Sequence, residues 1–485
     1  CRPREGTDVA RRLLAASLAL LVSGCTLGPD YERPATVAPP AAFREIPAAE
    51  AASLADTPWW EIFGDPRLQE LIRIALVENR TLKLAVERVE EARARYGFTK
   101  SALAPSITLG GNGGRLNTSE GSLTHTPDGD TIGGDRDTRY WTASADVTWE
   151  IDLFGRIRRA SEAEQALFFG TQEAQRGVVL ALVASVAQVY FELGDFDRQL
   201  AISHRTLESR REYLQLAKDR FDGGITPEID FRQAEAELHR VEAVVADFER
   251  LVALKENELS VLLGRNPGEV LRGRAVEEQK LPSAVPAGLP SDLLDRRPDI
   301  REAEQTLAAQ TANIGAAKAL LFPRIALTGS WGYASTDFDD LFDSSSKSWN
   351  VIGNVVQPIF EGGRNRRRVE ITESQQRQAL YAYENTVLEA FRETEDALVT
   401  YRRTGEQRAS QSSRVVAERK VLELAELRYR GGVADYLEVL DAQRSLFDAE
   451  LAETDTIATH LISLVRLYQA LGGGWPAAAE PPTEE

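Results

Sequence analysis

Between residues 140 and 151 apolar and polar positions alternate without interruption. Trp141, Ala143, Ala145, Val147, Trp149 and Ile151 stand against Thr142, Ser144, Asp146, Thr148 and Glu150. Period two predicts a strand with one greasy and one wet face. Residues 324–333 repeat the pattern through Ile325, Leu327, Trp331 and Tyr333, and Trp349, Val351 and Val355 carry it more weakly. Ile107 and Leu109 begin a fourth strand, whose alternation stops at Gly110-Gly-Asn-Gly-Gly114, a stretch that reads as a loop. Elsewhere the period is helical. Residues 67–102 and 299–320 form amphipathic patterns, and residues 156–221 run as one nearly continuous helix, about 100 Å long at 1.5 Å per residue. A second proline-free run extends from Ile359 to Trp475. Leu238, Val241, Val245, Phe248, Val252, Leu259 and Leu262 make a coiled-coil seam, and Leu461, Leu464, Tyr468 and Leu471 a shorter one.

The chain also repeats itself. Gly97 and Pro105 recur as Gly315 and Pro323, at an offset of 218. Ile151, Gly155-Arg156, Gly223-Gly224 and Leu263-Gly264 recur as Ile359, Gly363-Arg364, Gly431-Gly432 and Leu471-Gly472, at an offset of 208. An ordered series with one register change indicates duplication, with a longer loop in the first copy. Each copy reads as a helix, two strands around a polar loop, a very long helix, a double glycine and a second helix.

Composition narrows the class. A net charge of −18 argues against general nucleic-acid binding. The only cysteines are Cys1 and Cys25, so no disulfide framework exists. Arg11 and Arg12 followed by the short apolar stretch 13–21 read as an export signal, too short to span a bilayer. It ends in Val22-Ser23-Gly24-Cys25, which looks like a lipobox with Cys25 as the lipidated residue; Thr26, rather than aspartate, then points to the outer membrane. No other stretch holds 18 uninterrupted apolar residues, so a membrane-spanning role falls to the strands. Four strands cannot close a membrane barrel, which needs at least about eight. Open edges in lipid cost several kcal/mol per unsatisfied group. Several copies must therefore share one barrel, with two, three or four subunits all open at this point.

These residues resemble the TolC-like outer membrane factors, and specifically the NodT-type lipoproteins that serve RND efflux pumps. The resemblance rests on Pro58-Trp-Trp-Glu-Ile-Phe-Gly-Asp-Pro-Arg-Leu68, Trp149-Glu-Ile-Asp-Leu-Phe-Gly-Arg156, Arg296-Arg-Pro-Asp-Ile-Arg-Glu-Ala-Glu304 and the paired glycines. It implies a mainly α fold with β: a trimeric 12-stranded outer-membrane β-barrel, four strands per chain, continuous with a long periplasmic α-helical barrel. It implies a passive exit duct of a tripartite pump for small molecules such as drugs or toxic ions. The implied partners are two further copies, a periplasmic adaptor, an inner-membrane RND pump and outer membrane lipid. The expected division is a signal peptide (1–24), a lipidated linker (25–58), a first repeat (59–267), an equatorial linker (268–295), a second repeat (296–474) and a tail (475–485).

Within that frame residues 112–139 and 335–347 become extracellular loops. Trp141, Trp149, Trp331, Tyr333 and Trp349 form membrane girdles. Arg156, Arg158 and Arg159, with Arg364, Arg366, Arg367 and Arg368, lie near lipid head groups or on a solvated helix face. Gly223 and Gly224, like Gly431 and Gly432, turn the chain at hairpin tips, because glycine takes the left-handed conformation past a helix end. Ile225 with Thr226, and Val433 with Ala434, then face the adaptor. The family places acids at the narrowest part of the pore, which assigns Asp435, Glu438 and Asp441 to a constriction, the last two sharing one helix face. Arg428, Arg430 and Tyr436 become candidate tethers of the closed tips. Ala434 stands where some members carry arginine, which weakens that last assignment.

No catalytic constellation is present. His125, His204, His239 and His460 lack metal-ligand spacing, and Walker A and GxSxG patterns are missing. Asp128, Asp130 and Asp135 do not follow the ligand order of an EF-hand. No cofactor, metal or enzymatic activity is expected. Two rivals remain: a type I protein secretion duct, and a periplasmic coiled-coil scaffold anchored by Cys25 without a pore.

Overall fold

The computed structural model describes residues 26–35, 38–40, 42–43, 64–117, 124–125, 131–132, 137–279 and 290–473. The expected signal segment, Cys25 and the tail lie outside them. Helices α1 (Pro66–Glu78) and α2 (Arg80–Ser101) lead into strands β1 (Ser106–Asn117), β2 (Thr124–His125), β3 (Thr131–Ile132) and β4 (Asp137–Ile151). Helices α3 (Arg156–Asp222) and α4 (Glu228–Leu262) follow, then the short α5 (Leu293–Arg296) and α6 (Pro298–Ala319). Strands β5 (Arg324–Ser335) and β6 (Lys347–Val356) precede α7 (Arg364–Arg430) and α8 (Tyr436–Ala470). Both long helices have 67 residues, and both helices after them have 35. The chain divides into two compact units: Cys1–Arg33 with Glu90–Gly170 and Glu304–Ala382, and Pro34–Val89 with Thr171–Ala303 and Tyr383–Glu485.

The first unit holds an antiparallel sheet in the order β1-β4-β5-β6. Directly opposed residues share a face. Leu109, Ala145, Trp331 and Trp349 therefore form one row, and Ile107, Val147, Gly329 and Val351 the next on the same side. On the other side run Thr108, Asp146, Ser330 and Asn350. That first face is apolar from the row of Ile151, Ile325 and Val355 to the row of Leu109 and Trp349, and turns polar only towards the loops, where Lys347 stands opposite Tyr333. Yet Leu109 is 85% exposed and Trp349 74%. The outer edges of β1 and β6 pair with no strand among the described residues. At the loop end Trp141 meets Phe338 edge-on at 5.0 Å and Tyr333 meets Phe342 at 5.4 Å. Towards the helices Trp149 donates its indole N–H to the Leu103 carbonyl at 2.9 Å.

The glycine run belongs to the strand, contrary to the loop expected from its pattern. β1 stays in register to Asn117, opposite Asp137, where Arg115 and Asp137 pair. The reason is steric: a Cβ on Gly113 would sit 2.2 Å from the Trp141 ring, and one on Gly114 2.7 Å from Tyr140. Glycine lets large cross-strand rings lie flat over the ladder. The first loop accordingly narrows from 112–139 to the segment between Asn117 and Asp137, within which β2 and β3 pair.

Below β4, Asp152 caps α3 by accepting from the Ile157 and Arg158 backbone N–H groups at 3.0 and 2.8 Å. Arg156 grips Glu150 through two nitrogens, each at 2.9 Å. The Arg159 side chain fits neither the head-group nor the solvated-face expectation. It is 5% exposed and donates to the Leu27 carbonyl, Asp30 and Glu162. The segment following Thr26 is strapped across this junction and continues to Glu304, which receives Tyr31 and both ends of the Arg33 fork.

The second unit is a self-contained helical core. Leu68, Leu71 and Ile72 of α1 pack with Val186 and Leu193 of α3, Leu259 of α4, and Leu464 and Leu467 of α8. Seam residues Leu238, Val241 and Val245 are buried as expected, with Leu207 among their neighbours. The single first helix expected over 67–102 is broken. Asn79 is extended (φ −60°, ψ 128°), its amide donates to the Leu262 carbonyl at 2.9 Å, and its oxygen accepts from the Leu82 N–H at 3.0 Å. Asparagine's side chain competes with the helix backbone and starts α2 afresh. Two of the resemblance motifs acquire physical reasons. Asp65, 1% exposed, accepts from Arg67 N, Tyr190 Oη, Arg274 N and Gln279 Nε2. Burial pushes its carboxyl up, but those donors outweigh it and hold it below the usual range. Arg297 donates to the Ala470 carbonyl at 3.0 Å and so satisfies the end of α8.

Candidate functional site: the hairpin tips

α3 and α7 end in the same way. The Ile225 N–H reaches back to the Arg220 carbonyl at 2.8 Å, and the Val433 N–H to that of Arg428 at 3.0 Å. Gly224 and Gly432 adopt φ of +67° and +72°, the left-handed conformation such a cap requires. Gly223 and Gly431 donate to the carbonyls of Asp219 and Leu427, each at 3.0 Å. The chain then re-enters a helix behind Pro227 and Asp435. Both turns leave apolar side chains in the open: Ile225 is 75% exposed and Val433 69%, with Ile229 and Leu437 exposed beside them. Thr226 and Ala434 are half-buried.

Behind the tips an aromatic cluster joins the two hairpins. Tyr436, 3% exposed, lies against Tyr213 and Tyr429, with ring centroids at 6.4 and 5.8 Å. The Arg220 guanidinium sits 4.6 Å from the Tyr429 ring, and the Tyr213 hydroxyl donates to Glu426 at 2.5 Å. Burial pushes the Tyr436 phenol up to about 12.

The structure brings several of the expected site residues together. Arg428 pairs with Glu438 at 2.9 Å, so one tether candidate neutralises one constriction candidate within the chain. Arg430 reaches Glu426 at 3.8 Å. Tyr436 is a core residue whose hydroxyl has no partner among the described residues. Asp435, Glu438 and Asp441 are exposed. Asp230, which the sequence reading passed over, belongs with them: burial and then the charge of Asp435 push its carboxyl up. Its signal was available, because Asp230 is the repeat counterpart of Glu438 at the offset of 208.

Further up the hairpins, buried charges accompany the seam residues. Glu237, 2% exposed, takes Arg444 at 2.8 Å and Arg240 at 3.1 Å; burial raises its pKa, and the two arginines bring it below normal. Arg210, 3% exposed, donates to Gln443. Asp195 accepts from Gln199 and Thr454, yet burial pushes its carboxyl up to about 6. None of these stood out from the surface charges of a helical pattern. Among the described residues no group of three His, Cys, Asp or Glu side chains is placed to hold a metal.

The outer membrane efflux protein family matches residues 71–265 and 289–473, thus both halves of the chain. The chain belongs to this family. The cation efflux system protein CusC of Escherichia coli is 35% identical over 96% of this chain and 99% of that protein. The solvent efflux pump outer membrane protein SrpC of Pseudomonas putida is 38% identical over 94% and 97%. The solved outer-membrane channel OprN superposes with a TM-score of 0.85 at 30% identity, covering 93% of this chain and all of that one. This efflux protein therefore works at the outer membrane, and its helices and strands are arranged as in the family's channels.

Proposed function

We propose that three copies of this efflux protein close one 12-stranded barrel through the outer membrane, continued by a periplasmic barrel of helices, as the passive exit duct of a tripartite pump. The four-stranded sheet carries this reading: it has two edges unpaired among the described residues and one face with an apolar band across all four strands. Edge groups in lipid must be satisfied, and β1 of one copy beside β6 of the next does so. Trp141 and Trp149 stand eight residues apart on β4, about 27 Å along a strand, which suits an apolar band about 25 Å tall. The matched halves, paired helix lengths and equal tips support an internal duplication, with repeats over 59–267 and 296–474 around a linker at 268–295. Cys25 carries the lipid anchor, and catalysis has no part.

The tips contact the partners. Ile225 and Val433, with their glycine turns, dock a periplasmic adaptor that connects to an inner-membrane RND pump. Asp435, Glu438 and Asp441 line the constriction, where three copies attract cations. Arg428, Arg430 and Tyr436 hold the tips closed. Relatives are named for cations and for solvents, so the cargo class is set elsewhere; small molecules fit the duct better than a secreted protein. Replacing Glu438 and Asp441 by alanine should lower cation preference and change single-channel conductance in planar bilayers. Unchanged values would remove the acids from the gate, and a protein that never conducts would be the scaffold.

A further inference from the structure

The two β–α junctions of the first unit are built from repeat-related residues but are finished differently. At the first, Arg156 is held by Glu150, Arg159 is buried beneath the segment after Thr26, and the next residue is Ala160. The capping position is Asp152. At the second, the counterparts are Arg364, Arg367 and Arg368, and Asp152 is replaced by Phe360. No strap covers them among the described residues. Ile359 and Phe360 are each 89% exposed, directly after a strand whose Val355 is 68% exposed. Arg364, Arg367 and Arg368, at i, i+3 and i+4, share one face of α7. Arg364 and Arg367 pair with Glu361 and Glu370 at the surface, in pairs of a kind that is weak and exchangeable, and among the described residues Arg368 has no acidic partner.

Two consecutive, almost fully exposed large apolar side chains next to a cationic helix face match the boundary of a bilayer, where apolar groups enter the acyl layer and arginines meet phosphate. We infer that this second junction binds the phosphate head group of an anionic phospholipid, with Ile359 and Phe360 in the acyl region and Arg364, Arg367 and Arg368 around the phosphate. The inference rests on the sheet spanning the membrane. It makes the two junctions complementary: one lies beside the strap that leads from Cys25, the other is held by a lipid charge.

The test uses the full-length lipidated protein with Phe360→Cys carrying a bimane label, in nanodiscs containing either brominated phosphatidylglycerol or brominated phosphatidylcholine at equal fractions. Phosphatidylglycerol should quench the label roughly fivefold more effectively. The preference should vanish in the R364Q/R367Q/R368Q background, and above about 0.5 M NaCl with the arginines intact, which keeps the test open if the triple variant does not fold. Equal quenching by both lipids overturns the site. A label quenched by neither, while the native tryptophans are quenched by both, means another protein surface covers the junction and overturns it without touching the membrane reading. Tryptophans quenched by neither would overturn both together.

Discussion

The hairpin unit and the sheet solve burial in opposite ways. The hairpins bring apolar side chains from α1, α3, α4 and α8 into a core complete within one chain, where Leu467 and Leu259 are 0% exposed. The sheet leaves its outer edges unpaired and its apolar band open among the described residues, with Trp331 and Trp349 at 60% and 74% exposure. A core that closes on itself reports on one chain's stability. A sheet that does not reports on its surroundings, and substitutions in the two regions should separate these dependences.

The largest effect belongs to the core. Leu467→Ala should cost about 2–5 kcal/mol whether the protein is in detergent, lipid or neither, read as a lower thermal midpoint in each. Val351→Arg, on the apolar face of β6, should cost about 2–4 kcal/mol per copy in a bilayer and little in an unassembled chain. The measurement is trimer yield after reconstitution, and an unaffected yield would place that face away from lipid. Gly224→Ala and Gly432→Ala should each cost about 1–2 kcal/mol, since alanine resists the left-handed turn, and the two should match if the tips are equivalent. The smallest effect is at Asp195. Its folded pKa of about 6 lies above the unfolded value, so the folded state binds more protons in between, and stability falls as pH rises from about 4 to 6. Asp195→Asn should flatten that slope in thermal denaturation between pH 4 and 7, leaving the variant relatively more stable at pH 7.

Sequence pattern revealed what repeats and missed what is singular. β4 was readable because each of its residues declares a face. β1 was not readable beyond Leu109, because glycine has no side chain to show a period, although the Trp141 and Tyr140 rings opposite require its absence. The long helices and double glycines stood out through their spacing. Asn79 did not, since one asparagine in an amphipathic run carries no break signal until its partner, the Leu262 carbonyl, is known. At the tips the acids of the second copy were legible through family resemblance. Their company, Asp230 and the pairing of Arg428 with Glu438, depended on which helices meet.

The way α8 ends has a practical side. Its Ala470 carbonyl accepts from both Arg297 and Thr394, and the Tyr468 carbonyl from the N–H of Gly473 at 3.0 Å, whose missing side chain leaves room for the Tyr468 ring. Every group named in that arrangement lies at or before residue 473. An affinity handle or fluorescent fusion joined after Gly473 should leave the helix end intact, whereas one joined two residues earlier would uncap it.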